Sequence, residues 1–220
     1  TRVLTYRIAH LLEKGIAPWE ILTLTFTNKS AREMRERVSK RIKSDKTEGL
    51  TVSTFHSLGL RFLQIEAHRA KLRRGFSIFD TDDQLGIIKD LSAPGLKNDA
   101  LQALHGLISQ AKNNGLSPDE AFELAKSARE REAANLYDRY QARLQTFNAV
   151  DFDDLIRIPL MLLDQDPDLA PAWRERLRYL LVDECQDTNG AQYRLLKHLA
   201  GPNGRMTCVG DDDQSIYGWR

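Results

Sequence analysis

Cysteine and histidine are scarce in this 220-residue sequence, which contains 2 Cys and 5 His. The thiols, Cys185 and Cys208, form no CxxC motif and the histidines are scattered, so the ligand spacing of a structural zinc site is missing. We therefore expect two reduced thiols and no structural metal ion. The sequence also contains no internal repeat, which excludes a solenoid or a repeat array.

Long apolar runs and a strong net charge are missing too. The longest apolar runs, at 159–163 and 180–182, are far too short to cross a bilayer. The N-terminal stretch "TRVLTYRIAHLLEKG" is amphipathic and charged, unlike a secretory signal peptide. With 41% hydrophobic residues and a net charge of +1, we expect a globular cytoplasmic protein with no membrane partner. Any affinity for nucleic acid must come from the local arrangement of charges.

Strands and helices are predicted to alternate at both ends of the chain. Short segments rich in Val, Ile, Leu, Thr or Phe predict strands at 21–26, 50–55, 178–184 and 205–211. The first is followed by a helix with an apolar stripe at Ala31, Met34, Val38 and Ile42, and the third by a helix over 189–200. This alternation predicts an α/β domain with a parallel sheet that is covered on both faces.

The middle of the chain has a different pattern. Between residues 57 and 177, helices are predicted at about 57–70, 81–92, 97–114, 118–147 with a break near Ser127, 151–165 and 168–177. The stretch "FSIF" at 76–79 is compatible with a short strand or an extended crossover. We therefore expect a sheet domain formed by 1–56 and 178–220, with an all-helical insertion over 57–177. Because the sequence begins at Thr1 and ends without a helix stop signal, we expect a piece of a longer protein.

Polar and acidic side chains follow every predicted strand of the sheet domain. Asp183, Glu184 and Asp187 lie at the carboxyl end of the third strand, and 211–213 lie at that of the fourth. The carboxyl ends of parallel strands meet at one edge of a sheet, where ligands of such domains bind. These carboxylates could bind a metal ion, pair with a positively charged partner, or be exposed to solvent. The number of acidic residues at one edge favours a bound cation, or phosphates together with Mg²⁺.

Three apolar residues followed by Asp-Glu form a Walker B arrangement, which alone is a weak signal. Here it occurs as "LLVDECQDTNGAQYRLL", together with "VGDDDQSIYGWR", "LTLTFTNKSAREMRERV" and "TVSTFHSLGLRFL". In this combination the chain resembles, over its whole length, superfamily 1 DNA helicases of the UvrD/Rep/PcrA group. The resemblance implies a P-loop NTPase (RecA-like) sheet with an inserted helical subdomain. It also implies ATP-dependent 3′-to-5′ translocation on single-stranded DNA and unwinding of duplex DNA, in replication or repair.

The resemblance assigns nucleotide-site roles to individual residues. Asp183 is expected to hold Mg²⁺, Glu184 to accept a proton from the attacking water, and Gln214 to sense the γ-phosphate of ATP. Gln186, with Asp187, is expected to contribute to the nucleotide site by orienting its neighbours. The residues expected to contact single-stranded DNA, including its junctions with duplex, are Phe26, Asn28, Thr54, His56, Tyr217, Trp219 and Arg220.

Two departures from the family pattern qualify this reading. The family usually has an aromatic residue where Cys185 stands. The sequence starts with "TRVL", so Thr1 resembles the last residue of the family's phosphate loop, whose hydroxyl binds Mg²⁺, and Arg2 is expected near the adenine. Without the glycines and lysine of that loop, the 220 residues alone are expected to bind ATP poorly. A second motor domain of the same protein is expected to complete the site.

Other interpretations remain open from the sequence. The chain could be a non-catalytic module that binds DNA or protein, or the helicase half of a helicase–nuclease. Phe26 and Trp219 could be core residues, and the basic helix that begins near Lys29 could be an ordinary solvated surface. The acidic stretch "DFDD" at 151–154 could be a metal site, but acidic residues in the first turn of a helix favour its dipole, and we prefer that structural role.

Overall fold

The computed structural model describes residues 2–42, 47–202, 204–211 and 213. Among these residues the strands are β1 Ile21–Thr25, β2 Thr51–Thr54, β3 Ser77–Phe79, β4 Ala149–Asp151, β5 Tyr179–Val182 and β6 Met206–Cys208. The helices are α1 Arg2–Glu13, α2 Asn28–Arg41, α3 Phe55–Ile65, α4 Thr81–Leu91, α5 Asn98–Asn113, α6 Pro118–Leu124, α7 Ala128–Thr146, α8 Asp154–Gln165, α9 Leu169–Arg176 and α10 Gly190–Ala200. None of the helices in the described ranges is both long and apolar enough to span a bilayer.

The chain divides into two compact units, each described by itself below. The first unit combines Thr1–Leu58 with Leu163–Arg220, and the second is Gly59–Leu162. The sequence-based division placed the insertion at 57–177, so the two partitions differ over residues 57–58 and 163–177. The latter segment holds α9, whose buried Trp173 and neighbours are part of the sheet-bearing unit.

The first unit contains a parallel sheet with the strand order β2-β1-β5-β6. Leu24 of β1 is in register with Val182 of β5, and Val182 is in register with Cys208 of β6. The predicted parallel α/β sheet is thus confirmed. Each strand is shorter than predicted, because the residues that follow it leave the ladder and enter a turn or the next helix. The carboxyl ends of the four strands lie at one edge.

Helices α1 and α2 bury their apolar faces in one core of this unit. The predicted stripe of α2 is confirmed, since Ala31, Met34, Val38 and Ile42 are all buried. They pack with apolar residues of α1 and of strands β1, β2 and β5. Helix α2 begins directly after β1 because Thr27 caps it, with the Ser30 amide donating to the Thr27 hydroxyl at 3.0 Å.

The second unit is not all-helical, contrary to the sequence-based expectation. Strand β3 pairs in parallel with β4, with Ile78 opposite Val150. The alternative that "FSIF" is a short strand is therefore the correct one. Strand β4 was not predicted. It has only three residues and is separated from the end of α7 by two residues, and three residues are too few to show the alternating pattern of a strand. The predicted break near Ser127 is confirmed: its hydroxyl accepts from the Glu130 amide and starts α7.

The acidic stretch at 151–154 belongs to a buried cluster of charges in the second unit. The Lys112 ammonium lies 2.6 Å from Asp151 and 3.0 Å from Asp154, and the Tyr140 hydroxyl donates to Asp151 at 2.8 Å. Burial raises the pKa of Asp151, but the Lys112 charge and its hydrogen bond outweigh burial and lower it. Burial, reinforced by the Asp151 carboxylate, raises the pKa of Asp154 to about 6. The preferred structural role is supported, but through an ion cluster more than through the helix dipole.

Gly59 is predicted to be intolerant of any side chain. A Cβ atom built at Gly59 in α3 falls on the carbonyl oxygen of Leu155, which is backbone and cannot turn aside. We expect Gly59→Ala to destabilise the second unit by about 1–3 kcal/mol or more through overpacking. Hydrogen–deuterium exchange over 59–162, followed by mass spectrometry, measures this loss of protection within the intact protein.

Gly86 of α4 supplies a matched control in the same unit. A Cβ atom at Gly86 meets nothing within 4 Å among the described residues. Gly86→Ala is therefore expected to stabilise the helix by up to about 1 kcal/mol, since Ala loses less conformational entropy than Gly. Equal protection in the Gly59→Ala and Gly86→Ala proteins would contradict the close approach of α3 and α8.

Candidate active site

Strand β5 delivers two consecutive carboxylates to the edge of the sheet. Asp183 is only 2% exposed, and its backbone N–H donates to the Leu24 carbonyl at 2.9 Å, which holds it against the end of β1. Glu184 follows in the left-handed region, with φ 54° and ψ 47°. This conformation costs a non-glycine residue about 1–3 kcal/mol, and it bends the chain out of the sheet. The bend presents the two side chains differently: Asp183 is buried and Glu184 is half-buried.

Gln186 connects the Glu184 carboxylate to the chain that follows β6. Its amide nitrogen donates to Glu184 Oε2 at 2.8 Å, and its Oε1 accepts from the Asp211 backbone N–H at 3.1 Å. A Cβ atom at Gly210 would lie 2.5 Å from Gln186 Oε1, so glycine permits this close approach. The carboxylate of Glu184 is therefore held in a defined position by a residue that also contacts the end of β6.

The turn after Gln186 places further polar atoms at the same edge. The backbone N–H of Asp187 donates to the Glu184 carbonyl at 3.0 Å. Asp187 Oδ1 is buried and accepts no hydrogen bond from the part of the chain that the structure describes. Asn189 then caps α10, because its Oδ1 accepts from the Gln192 amide at 2.9 Å. A buried carboxylate oxygen that still has acceptor capacity is suited to a cation or to a bound water.

Two aromatic rings meet where β1 and β2 end. The Phe26 ring centroid lies 5.6 Å from that of Phe55, with 54° between the planes. Both rings line a cavity of about 100 Å³, together with His56, Asp187, Asn189 and Gln192. Phe26 is half-buried, so it belongs partly to the core and partly to this cavity. The cavity joins the ends of three strands and offers an aromatic wall beside amide and carboxylate groups.

Of the remaining residues predicted to contact DNA, the structure describes two and leaves the others outside its described ranges. Asn28 is exposed at the first position of α2. Thr54 is only 6% exposed, and its hydroxyl is engaged with Ser57, accepting from the Ser57 amide at 3.2 Å. Its side chain therefore caps α3 and is largely buried. Tyr217, Trp219 and Arg220 lie outside the described residues, as do Gln214 and Thr1 of the predicted nucleotide site.

Arg2, which is predicted to lie near the adenine, contacts Tyr6 of the same helix. It is exposed at the start of α1, and its guanidinium is 5.9 Å from the Tyr6 ring. The Arg41 guanidinium lies 3.9 Å from the same ring. The hydrogen bond with Arg2 and the charge of Arg41 lower the pKa of the Tyr6 hydroxyl. Tyr6 and Arg41 were not predicted, since nothing in the sequence shows that α1 and α2 lie side by side.

Sequence reasoning also missed Phe55, Asn189 and Gln192 as cavity-lining residues. Phe55 directly follows β2, as Phe26 follows β1, so the repeated pattern of a strand followed by an aromatic residue could have indicated it. Asn189 and Gln192 carry the sequence signal of a helix cap, and their closeness to the rings depends on the sheet order. Within the described ranges, no group of three or more His, Cys, Asp or Glu side chains forms a metal cage.

The first unit, a parallel α/β sheet with consecutive Asp and Glu residues at the end of an inner strand, has the architecture of a RecA-like domain. The family model of the UvrD/REP helicase N-terminal domain matches residues 1–220, and the chain belongs to this family.

The most similar sequences include full-length helicases. The chain is 45% identical over 223 residues to the ATP-dependent DNA helicase Rep of Escherichia coli (strain K12). It is 43% identical over 225 residues to the ATP-dependent DNA helicase PcrA of Leuconostoc citreum, and 43% identical over 228 residues to PcrA of Staphylococcus aureus (strain Mu50). Each alignment covers 100% of this chain but only 33% of Rep and 30% of either PcrA. The chain therefore spans about a third of the length of these relatives.

Proposed function

We propose that the chain is the N-terminal motor part of an ATP-dependent DNA helicase that moves 3′-to-5′ on single-stranded DNA and unwinds duplex DNA in replication or repair. The observation that carries this proposal is the pair Asp183 and Glu184 at the carboxyl end of β5, with Glu184 held by Gln186. The similarity to Rep and PcrA, which are named ATP-dependent DNA helicases, supports the same conclusion. A cytoplasmic location accompanies the proposal.

The residues at the end of β5 fit a magnesium–nucleotide site. Asp183 offers carboxylate oxygens at the strand end, and hard oxygen donors of this kind suit Mg²⁺. Asp183, with the hydroxyl of Thr1, would hold the ion, and Arg2 would lie near the adenine. Bound Mg²⁺ would supply neutralisation of negative charge on the phosphates of ATP. Gln214, for its part, would respond to the γ-phosphate.

The proposal assigns Glu184 the role of general base. Its carboxylate is half-buried and accepts a hydrogen bond from Gln186, which limits its rotation. A carboxylate fixed in this way can take a proton from a water molecule that attacks the γ-phosphate. Because Gln186 also accepts from the Asp211 amide, a shift of the chain after β6 would move the base. This contact gives a physical route by which Gln214, three residues beyond Asp211, could influence hydrolysis.

The aromatic cavity fits the proposed contact with single-stranded DNA. Phe26 and Phe55 form a ring pair at the strand edge, with His56 beside them and Asn28 exposed at the start of α2. An aromatic face can stack on any base, at about 1–3 kcal/mol per base, without reading the sequence. Tyr217, Trp219 and Arg220 are proposed to extend this surface. The second motor domain of the same protein is proposed to supply arginines that stabilise the transition state.

The DNA side of the proposal is tested with the full-length protein and a fluorescent oligothymidine. Single-stranded DNA is expected to accelerate ATP hydrolysis by the wild-type protein. Phe26→Ala is expected to weaken oligonucleotide binding by about 5–150-fold, the loss of one stacked base. The control Phe122→Ala removes an exposed ring of α6 and is expected to leave binding unchanged. Hydrolysis that DNA does not accelerate, with unweakened binding by Phe26→Ala, would reject the proposed function.

A further inference from the structure

The structure brings Cys185 and Cys208 together, although they are distant in sequence. Val182 of β5 is in register with Cys208 of β6, and the Val209 N–H donates to the Val182 carbonyl at 2.9 Å. After the left-handed bend at Glu184, the Cys185 N–H donates to the Val209 carbonyl at 3.0 Å. Cys185 therefore hydrogen bonds to the residue that directly follows Cys208. The two cysteines are not closely spaced in the sequence, so their spacing does not reveal this neighbourhood.

The surroundings of the two thiols leave them accessible and close. Cys208 is exposed and Cys185 is half-buried, and both are free thiols. Gly210 has no side chain to separate the two segments, since a Cβ atom there would lie 3.3 Å from the Cys185 backbone nitrogen. Burial, together with the neighbouring Cys185 thiol, raises the pKa of Cys208 to about 12. The pairing of Cys208 with Val182 and the hydrogen bond from the Cys185 N–H to the Val209 carbonyl bring the two residues to neighbouring positions at the sheet edge.

We propose that Cys185 and Cys208 form a dithiol modification site, which low-molecular-weight disulfides oxidise to an intramolecular disulfide bond. In the first step, one protein sulfur attacks the small disulfide, forms a mixed disulfide and releases one small thiol. In the second step, the other protein sulfur attacks the mixed disulfide, forms the Cys185–Cys208 bond and releases a second small thiol. The two protein thiols lose two electrons and two protons, and the small disulfide is reduced to two thiols.

The local geometry favours the second step. Neighbouring strands lie about 4.7–4.9 Å apart, and disulfides join Cα atoms that are about 4.4–6.8 Å apart. Cys208 at the end of β6 and Cys185 in the turn after β5 belong to one molecule, so their effective concentration far exceeds that of a small thiol in solution. An aromatic residue at 185, which the family resemblance leads us to expect, could not form this bond.

A disulfide here would fasten the end of β6 to the turn that carries Glu184 and Gln186. The contact from the Asp211 amide to Gln186 would then be held by a covalent bond close by. If the proposed function is correct, the oxidised protein hydrolyses ATP more slowly and recovers on reduction with dithiothreitol. This consequence rests on the proposed function, whereas formation of the bond does not.

The test treats dilute full-length protein with oxidised glutathione and maps its tryptic peptides without reduction. Trypsin cleaves after Arg178, Arg194 and Arg205, so the two cysteines fall in separate peptides, one spanning 179–194 and the other beginning at Met206. We expect a cross-linked pair of these peptides that dithiothreitol separates. In the controls Cys185→Ser and Cys208→Ser, we expect the remaining thiol to carry one glutathione and no cross-link.

The outcomes separate the modification site from the enzyme function. Thiols that stay unreacted, that both carry glutathione, or that link different molecules would each overturn the proposed dithiol. A cross-link accompanied by slower ATP hydrolysis supports both the site and its consequence. A cross-link with unchanged hydrolysis supports the site and overturns only the consequence. Absence of DNA-stimulated hydrolysis in the reduced protein counts against the proposed function and leaves the peptide result valid.

Discussion

Replacing Glu184 with Gln in the full-length protein is expected to lower DNA-stimulated ATP hydrolysis by about 10²–10⁴-fold, the usual contribution of a general base. The change removes proton acceptance and little else. The side-chain oxygen of Gln at position 184 can still accept the hydrogen bond that Gln186 donates to Glu184 at 2.8 Å. Steady-state hydrolysis with saturating single-stranded DNA measures the effect.

Two further measurements make the Glu184→Gln result specific. Affinity for a fluorescent ATP analogue is expected to stay close to the wild-type value, because phosphate binding does not need the base. Glu175→Gln, at an exposed position of α9 in the same unit, makes the same chemical change away from the strand edge and is expected to leave hydrolysis unaffected. A Glu184→Gln protein that keeps wild-type turnover would remove Glu184 from the chemistry.

Replacing Lys112 with Met is expected to cost the second unit about 3–5 kcal/mol of stability. Lys112 is 1% exposed and is the cation closest to both Asp151 and Asp154, at 2.6 and 3.0 Å. Without its ammonium, two buried carboxylates face each other, and among the described residues the nearest cation paired with them is Arg157, 3.8 Å from Asp154. Loss of hydrogen-exchange protection over 59–162 measures the destabilisation.

The pH dependence of this loss identifies its electrostatic origin. The pKa of Asp154 is raised to about 6 in the folded protein, above the value of about 3.9 for an unfolded Asp. As pH falls from 7 to 5, the folded state binds a proton before the unfolded state does, so stability rises and Lys112 matters less. The loss caused by Lys112→Met is therefore expected to shrink over this range. The control Lys89→Met, at an exposed position of α4, should neither lower stability nor change its pH dependence. If the stability loss caused by Lys112→Met did not depend on pH, it would come from packing alone.

The parallel sheet of the first unit was predictable because its signals are local. Strands β1 and β5 are runs of buried apolar residues followed at once by polar residues, and the stripe of α2 from Ala31 to Ile42 has a clear helical period. The insertion was harder to predict. Strand β4 is three residues long, and the partner of Asp151, Lys112, lies 39 residues away, so no local pattern announces the cluster.

In the candidate site too, only the features with a local sequence signal were predictable. Asp183 and Glu184 stand out because acidic residues directly follow a buried strand, which needs an explanation in any sequence. The contact of Gln186 with Asp211, the ring pair of Phe26 with Phe55, and the approach of Cys185 to Cys208 all depend on the strand order. That order is set by packing across the whole unit, so spacing along the chain does not reveal it.

The most direct test of the central claim is the affinity of the full-length protein for Mn²⁺, a spectroscopic substitute for Mg²⁺, in the presence of a non-hydrolysable ATP analogue. Electron paramagnetic resonance counts the bound ion. If Asp183 is a metal ligand, Asp183→Asn requires at least about 10–100-fold more Mn²⁺ for half-saturation, whereas the exposed control Asp168→Asn behaves as wild type. Equal Mn²⁺ affinity in the Asp183→Asn and wild-type proteins would contradict the claim that the carboxyl end of β5 is a magnesium–nucleotide site.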